Sequence, residues 1–210
     1  MKTRSIFFFL WCAIVSGSVY AQGAMSDVNK DEHSKTYFSM GGGVADNGQL
    51  IGFAGTHILP KGIGASISYK GDNYNCRDLP SDYYQGLEFV APYDYLHILS
   101  LNFVKEFSTS TKLFRYGFEG GPSLVTKGTA VFTHKPYNGL EDLFESNYTY
   151  AYSKKMTVGL SLRAKMEFPL SRFAGLEAAV FSNINAYRSI IGAEMYLTIG
   201  AVRNRIKTKQ

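Results

Sequence analysis

The sequence predicts an all-β chain: an eight-stranded, antiparallel, up-and-down transmembrane β-barrel. Three observations carry that reading: a secretory leader, apolar–polar alternation sustained over long runs, and polar faces crowded with small residues. The alternation is cleanest from Met156 to Phe168. Met156, Val158, Leu160, Leu162, Ala164, Met166 and Phe168 fall on one face; Thr157, Gly159, Ser161, Arg163, Lys165 and Glu167 fall on the other. A period of two marks a strand with two distinct faces. Ile191 to Ala201 repeats it, with Ile191, Ala193, Met195, Leu197 and Ile199 set against Gly192, Glu194, Tyr196 and Thr198.

The leader comes first. Lys2 and Arg4 precede an apolar run from Ile6 to Val15, and Val19-Tyr-Ala21 supplies the small side chains that a signal peptidase reads. The pattern is a secretory signal over residues 1–21 with cleavage after Ala21. Its apolar run is too short for a spanning helix, which needs ~20 residues. Cys12 lies inside that run without small residues before it, which argues against lipoprotein acylation. Cleavage removes Lys2 and Arg4 and no acid, taking the formal charge from +5 to +3. So small and dispersed an excess gives no nucleic-acid footprint. Cys76 is then the one cysteine left, so neither a disulfide framework nor a thiolate metal site is expected. Residues 22–35 are polar, lack periodicity and read as a flexible leader. No later segment offers the ~18 consecutive apolar residues of a transmembrane helix.

Strands are expected at about 36–45, 49–59, 62–69, 94–107, 113–125, 154–168, 174–185 and 189–202, within a barrel spanning 36–203. The breaks carry turn chemistry. Asp46-Asn47-Gly48 suits a tight hairpin, because Asn and Gly tolerate positive φ. Pro60-Lys61-Gly62, Ser108 to Thr111 and Pro169 to Arg172 are short polar or Pro-containing connections. Two connections are long, Lys70 to Pro92 and Lys127 to Tyr150. They are the third and the fifth, so they share one side of the sheet. Short periplasmic turns and longer outer loops are the habit of bacterial outer-membrane barrels.

A soluble sandwich would show the same alternation, and three features favour the membrane. The runs at 94–107, 154–168 and 189–202 exceed the ~9–11 residues that a tilted spanning strand needs. The polar faces hold Gly64, Ser66, Ser68, Gly117, Gly121, Gly159 and Gly192. Solvent does not require such small side chains, whereas the bore of an eight-stranded barrel does. Aromatics gather where strands end, with Tyr69, Tyr93 and Tyr95 at one side and Phe103, Phe107, Phe114 and Phe168 at the other, as interfacial girdles should.

On these residues a resemblance can be named. The signal ending in Val19-Tyr-Ala-Gln22, the eight-strand meander, Ile58-Leu-Pro-Lys-Gly62 and Gly159-Leu-Ser-Leu-Arg-Ala-Lys-Met-Glu-Phe-Pro-Leu170 look like the Gram-negative outer-membrane protein β-barrel family, over Thr36 to Arg203. The resemblance implies an outer-membrane location, with outer-membrane lipid around the barrel, and says little about activity. One departure is the end of the chain. Many such barrels finish on an aromatic residue that helps assembly, whereas this chain runs on as a basic tail, residues 204–210.

Chemistry is sparse. His33, His57, His97 and His134 are scattered without metal-ligand spacing, and Gly41-Gly42-Gly43 opens no helix, as a phosphate loop would. His97 and Ser100 lie three apart, so in a strand they point to opposite faces and cannot act as base and nucleophile. No catalytic residue, cofactor or metal is expected. Alternation sends Glu106, Arg115, Glu119, Arg163, Lys165, Glu167, Glu177 and Glu194 into the lumen, five acids against three bases. Buried charges persist only when paired, so a network filling the bore is expected. The long connections hold Tyr83, Tyr84, Phe89, Tyr137, Phe144 and Tyr148. Aromatics of this kind contact an extracellular protein or glycan, or pack together and seat the loops at headgroup level. The leading reading is a monomeric, non-enzymatic surface protein with a binding or envelope-structural role. A narrow solute channel is second, and a lipid A-modifying barrel third.

Overall fold

The computed structural model describes residues 34–46, 48–85, 91–108, 114–135 and 146–201; the expected secretory signal, most of the expected leader, Asn47 and the basic tail lie outside them. Eight strands follow in order: β1 (Lys35–Ala45), β2 (Gly48–Ile58), β3 (Ile63–Asn75), β4 (Tyr93–Ser108), β5 (Arg115–His134), β6 (Tyr148–Pro169), β7 (Ala174–Asn185) and β8 (Ile190–Gly200). Each pairs antiparallel with the next, and β1 pairs with β8, so the sheet closes into an up-and-down barrel without an edge. Among the described residues no helix is long and apolar enough to cross a membrane.

The turns follow from their residues. Asp46 takes a φ of 43° where Ala45 pairs with Gly48. Gly62, at φ 71°, lets its carbonyl accept from Glu106 N at 2.7 Å; a Cβ there would run into the Glu106 backbone. Ser171 Oγ accepts from Phe173 N (3.1 Å) and Ala174 N (2.9 Å), and Asn185 Oδ1 accepts from Tyr187 N and Arg188 N.

Burial alternates residue by residue around the wall. β2 is buried at every even position and exposed at every odd one from Gly48 to Ile58. The outward positions make an apolar belt: Val158 is 77% exposed, Met195 65%, and Phe38, Ile51, Ile67, Leu101 and Val180 are exposed likewise. Apolar side chains all round the outside are unfavourable in water and suited to hydrocarbon. At the end with short turns the belt finishes in Phe107 stacked on Tyr116 (5.2 Å) and Phe114 beside Phe168 (6.4 Å). There the outward Lys105 reaches to the Lys61 carbonyl at 3.1 Å, as a lysine at an interface does.

The strand limits differ from expectation in one respect. β3 continues from Tyr69 to Asn75, β5 continues to His134, and β6 begins at Tyr148. Part of what reads as the fifth connection is therefore a β-ribbon standing above the barrel, paired from Lys127↔Lys155 to His134↔Tyr148. The bore is not uniformly polar either. Ala45, Leu50, Leu96, Ile98, Val125, Phe181 and Ile190 form an apolar layer across its loop end, and Tyr37, Ile58 and Val104 cluster towards its turn end.

Candidate functional site

The charge network lies on the turn side of the loop-end apolar layer and runs past the Tyr37–Ile58–Val104 cluster to Lys35 and Glu106. Register sets it up: Glu119 is opposite Arg163, Arg115 opposite Glu167, and Glu194 opposite Ala179, so short side chains leave room for long ones. Gly52 shows how tight the fit is, since a Cβ there would overlap the Tyr196 hydroxyl. Arg163 holds three carboxylates, Glu177 and Glu194 closely and Glu119 at 3.3 Å. Lys165 Nζ lies 2.6 Å from Glu119 and 3.5 Å from Glu177, and donates to Tyr37 OH at 2.9 Å. Arg115 lies 3.8 Å from Glu106 and 3.5 Å from Glu167. All eight charged residues that alternation points inward line the interior and are buried.

Two further bases complete the set. Lys35 pairs with Glu106 at 2.8 Å and Lys70 with Glu194 at 2.8 Å, Lys70 also lying over the Phe181 ring at 3.8 Å. Within the network the expected five acids over three bases is thus corrected to five against five; Asp72, level with Leu96, and Asp94 are also buried, at the loop end. Lys35 falls in the expected leader and Lys70 in the expected loop, so strand limits drawn too short hide them. The alternation Gly64, Ser66, Ser68, Lys70, Asp72 carries the signal for Lys70. Ser66 Oγ donates to Glu119 Oε2 (3.1 Å) and Tyr196 OH to Glu194 Oε2 (3.2 Å).

Above the apolar layer, Arg188 lies 3.6 Å from Asp46 and 4.4 Å above the Tyr74 ring. Asp94 accepts from Ala130 N (3.0 Å), Arg77 N (3.5 Å) and Cys76 Sγ (3.6 Å), tying the third connection to β4 and β5. Burial, with the Asp94 carboxylate second, raises the Cys76 thiol above its ordinary pKa.

The two long connections are clasped together. Tyr84 N donates to Asn147 Oδ1 at 2.7 Å, Asn147 Nδ2 to the Asp82 carbonyl at 2.7 Å, and Tyr148 OH to Asp82 Oδ1 at 2.9 Å. Tyr83 packs its ring against Phe132 (5.8 Å) and Tyr148 (6.3 Å). Tyr83, Tyr84 and Tyr148 are therefore brought into one unit, Tyr148 as the first residue of β6. Phe89, Tyr137 and Phe144 lie outside the described residues.

Comparison with known proteins starts from nothing at sequence level: no family model matches, and no curated protein matches. Solved structures do match. The N-terminal β-barrel domain of Pseudomonas aeruginosa OprF superposes with a TM-score of 0.51 at 11% identity, covering 80% of this chain and 98% of that one. Neisserial surface protein A superposes at 0.50 and 10% identity, covering 80% of this chain and 96% of that one. The fold is that of the small eight-stranded outer-membrane β-barrels. Within that barrel family the identities are too low to transfer a role, so function rests on this chain's own residues.

Those residues offer little reactive chemistry. His97 points outward, stacked on Tyr95 at 4.5 Å, while Ser100 is buried inside, so the two do not meet. His134 is an exposed residue against the Tyr148 ring. Among the described residues no group of three His, Cys, Asp or Glu side chains is placed to hold a metal. Gly41 and Gly43 sit inside β1, where a Cβ would collide with the β8 backbone; they are wall residues.

Proposed function

We propose that the chain is exported to the outer membrane, where it is a sealed, non-enzymatic barrel. In this reading it displays its clasped outer connections to a partner at the cell surface. One observation carries this: the bore is closed. Leu96 and Val125 are 0% exposed and Ile98 1%, inside a barrel whose ten central charges cancel. A conducting pore would wet those side chains. Eight strands leave an interior just wide enough for side chains to fill, and here they fill it with ion pairs capped by an apolar layer.

Closed below, the molecule has its accessible polar and aromatic surface on the loop side. The clasp through Asp82 and Asn147 fixes that surface before any partner arrives, which lowers the ordering cost of binding. An extracellular protein or a glycan suits such a surface. Planar-bilayer recording on the folded barrel tests the reading: no stepwise conductance above the bare membrane is expected. Steady unitary steps would overturn it in favour of a narrow solute channel.

A further inference from the structure

Above the apolar belt, one face of the β5–β6 ribbon is paved with aromatic rings. From the belt upward, His97 stacks on Tyr95 (4.5 Å), Tyr95 meets Tyr152 (5.2 Å), Tyr152 meets Tyr150 (5.8 Å), Tyr150 meets Phe132 (6.1 Å) and Phe132 meets Tyr148 (6.2 Å). Gly128 gives the Tyr95 ring its seat, since a Cβ there would overlap the ring. The paving is one-sided. Tyr148, Tyr150 and Tyr152 share the β6 face of Met156, Leu160 and Leu162, the face turned to lipid lower down, whereas the face towards the mouth carries Thr149, Ala151 and Ser153. Lys154, exposed, stands on the paved face between Met156 and Tyr152.

Height selects what this face meets. From Met156 up to Tyr148 the strand runs roughly 26 Å at ~3.3 Å per residue, which is about 20 Å of height at a tilt near 40°. A phospholipid headgroup layer is only about 5–8 Å deep on each side. It would cover the lowest rings and leave Tyr150, Phe132 and Tyr148 above it. A taller headgroup layer built of sugars would cover them all, and sugars stack on flat aromatic faces while their hydroxyls bond to Tyr OH. We propose that this face docks the oligosaccharide headgroup of a glycolipid in the surrounding outer leaflet. Sugars lie on Tyr150, Tyr152 and Phe132, and a headgroup phosphate pairs with Lys154. The inference rests on the outer-membrane reading, and it assigns a ligand class to a surface that the clasp touches only at its top, where Tyr83 packs on Phe132 and Tyr148.

The test compares the barrel in nanodiscs of phosphatidylcholine alone, with added lipid A, and with added lipopolysaccharide bearing its core sugars. Loss of the folded band on gels gives Tm. Core-bearing lipopolysaccharide should raise Tm by about 3 °C or more beyond lipid A, because a ligand bound to the folded state stabilises it. The variant Tyr150→Leu/Tyr152→Leu/Phe132→Leu keeps apolar bulk and should lose that extra shift while keeping the lipid A shift. Lys154→Gln should lower the shift common to both lipids. If the triple variant does not fold, Tyr150→Leu alone, at a 36% exposed position, gives the same reading. Equal shifts with lipid A and with core-bearing lipid, or a triple variant that keeps the extra shift, would overturn the proposal. So would an equal shift from free core oligosaccharide over phosphatidylcholine discs, which would mean a glycan taken from solution. None of these outcomes touches conductance, so the sealed-barrel reading fails or stands separately.

Discussion

Removing Arg163 is the sharpest test of how the interior is held together. Its guanidinium contacts Glu119, Glu177 and Glu194 at once. In Arg163→Met, Glu119 keeps Lys165 at 2.6 Å and Glu194 keeps Lys70 at 2.8 Å, but Glu177 is left with Lys165 at 3.5 Å. The network then holds five acids and four bases, one negative charge in excess and buried. Breaking a buried pair from one side costs about 3–5 kcal/mol, a factor of roughly 10²–10³ in the folding equilibrium at ~1.4 kcal/mol per decade. Arg163→Met/Glu177→Gln restores the balance and should recover at least half of the loss, since replacing both partners of a buried pair is often close to neutral. Urea unfolding in lipid vesicles, read as the shift between folded and unfolded bands, measures both. A cost below about 1 kcal/mol with no recovery in the double variant would mean that water screens these charges. The sealed interior would then be wrong.

Other expectations follow from the same geometry. Leu162→Arg, in the middle of the β6 belt, should cost about 2–4 kcal/mol in the same vesicles, whereas Ser161→Arg points inward and acts by crowding the bore; equal tolerance of Leu162→Arg and Leu162→Ala would argue against lipid on that face. An epitope inserted near Gly139 should bind antibody on intact cells, and binding only after permeabilisation would invert the topology. Cys76 should react with an impermeant maleimide on intact cells more slowly than in the urea-unfolded chain. Its rate should still climb above the pH at which an ordinary thiol is fully ionised, because burial and Asp94 raise its pKa; a rate equal to that of the unfolded chain would remove the Asp94 contact. Asn147→Ala should release the clasp to Tyr84 and Asp82, seen as faster surface proteolysis of the third connection with the barrel bands unchanged.

The barrel was legible wherever the two faces of a strand meet different media. In β6, Leu160 and Leu162 face lipid while Ser161 and Arg163 face the bore, and the sequence alternates accordingly. The signal fades where that contrast fades. Leu96 and Ile98 point inward yet are apolar, so the loop end of β4 reads as continuously apolar. Above the barrel the ribbon has neither bore nor hydrocarbon beside it; Thr129 to His134 lose the pattern, and Tyr148 to Ser153 keep it only as tyrosines against Thr149, Ala151 and Ser153, a composition that reads as loop. Lys35 and Lys70 escape because each lies at the edge of an expected strand. The clasp of Asp82, Tyr84 and Asn147 depends on where two distant connections meet, which no local pattern encodes. Outward Tyr95, packed over Gly128, is of the same kind: only register brings ring and glycine together.

The interior ion pairs also constrain how the barrel comes into being. Lys35 on β1 finds Glu106 on β4, 71 residues on, and Lys70 on β3 finds Glu194 on β8, 124 residues on. The ten charges come from every strand except β2. The strands β4 to β6 balance by themselves, with Glu106, Glu119 and Glu167 against Arg115, Arg163 and Lys165, but a partly built sheet leaves Lys70 on β3 and Glu194 on β8 apart. Lys70 meets Glu194 and Lys165 meets Tyr37 only as the β1–β8 seam shuts. Sealing the seam and completing the network become a single event. An open, half-inserted sheet leaves these cross-barrel contacts unmade.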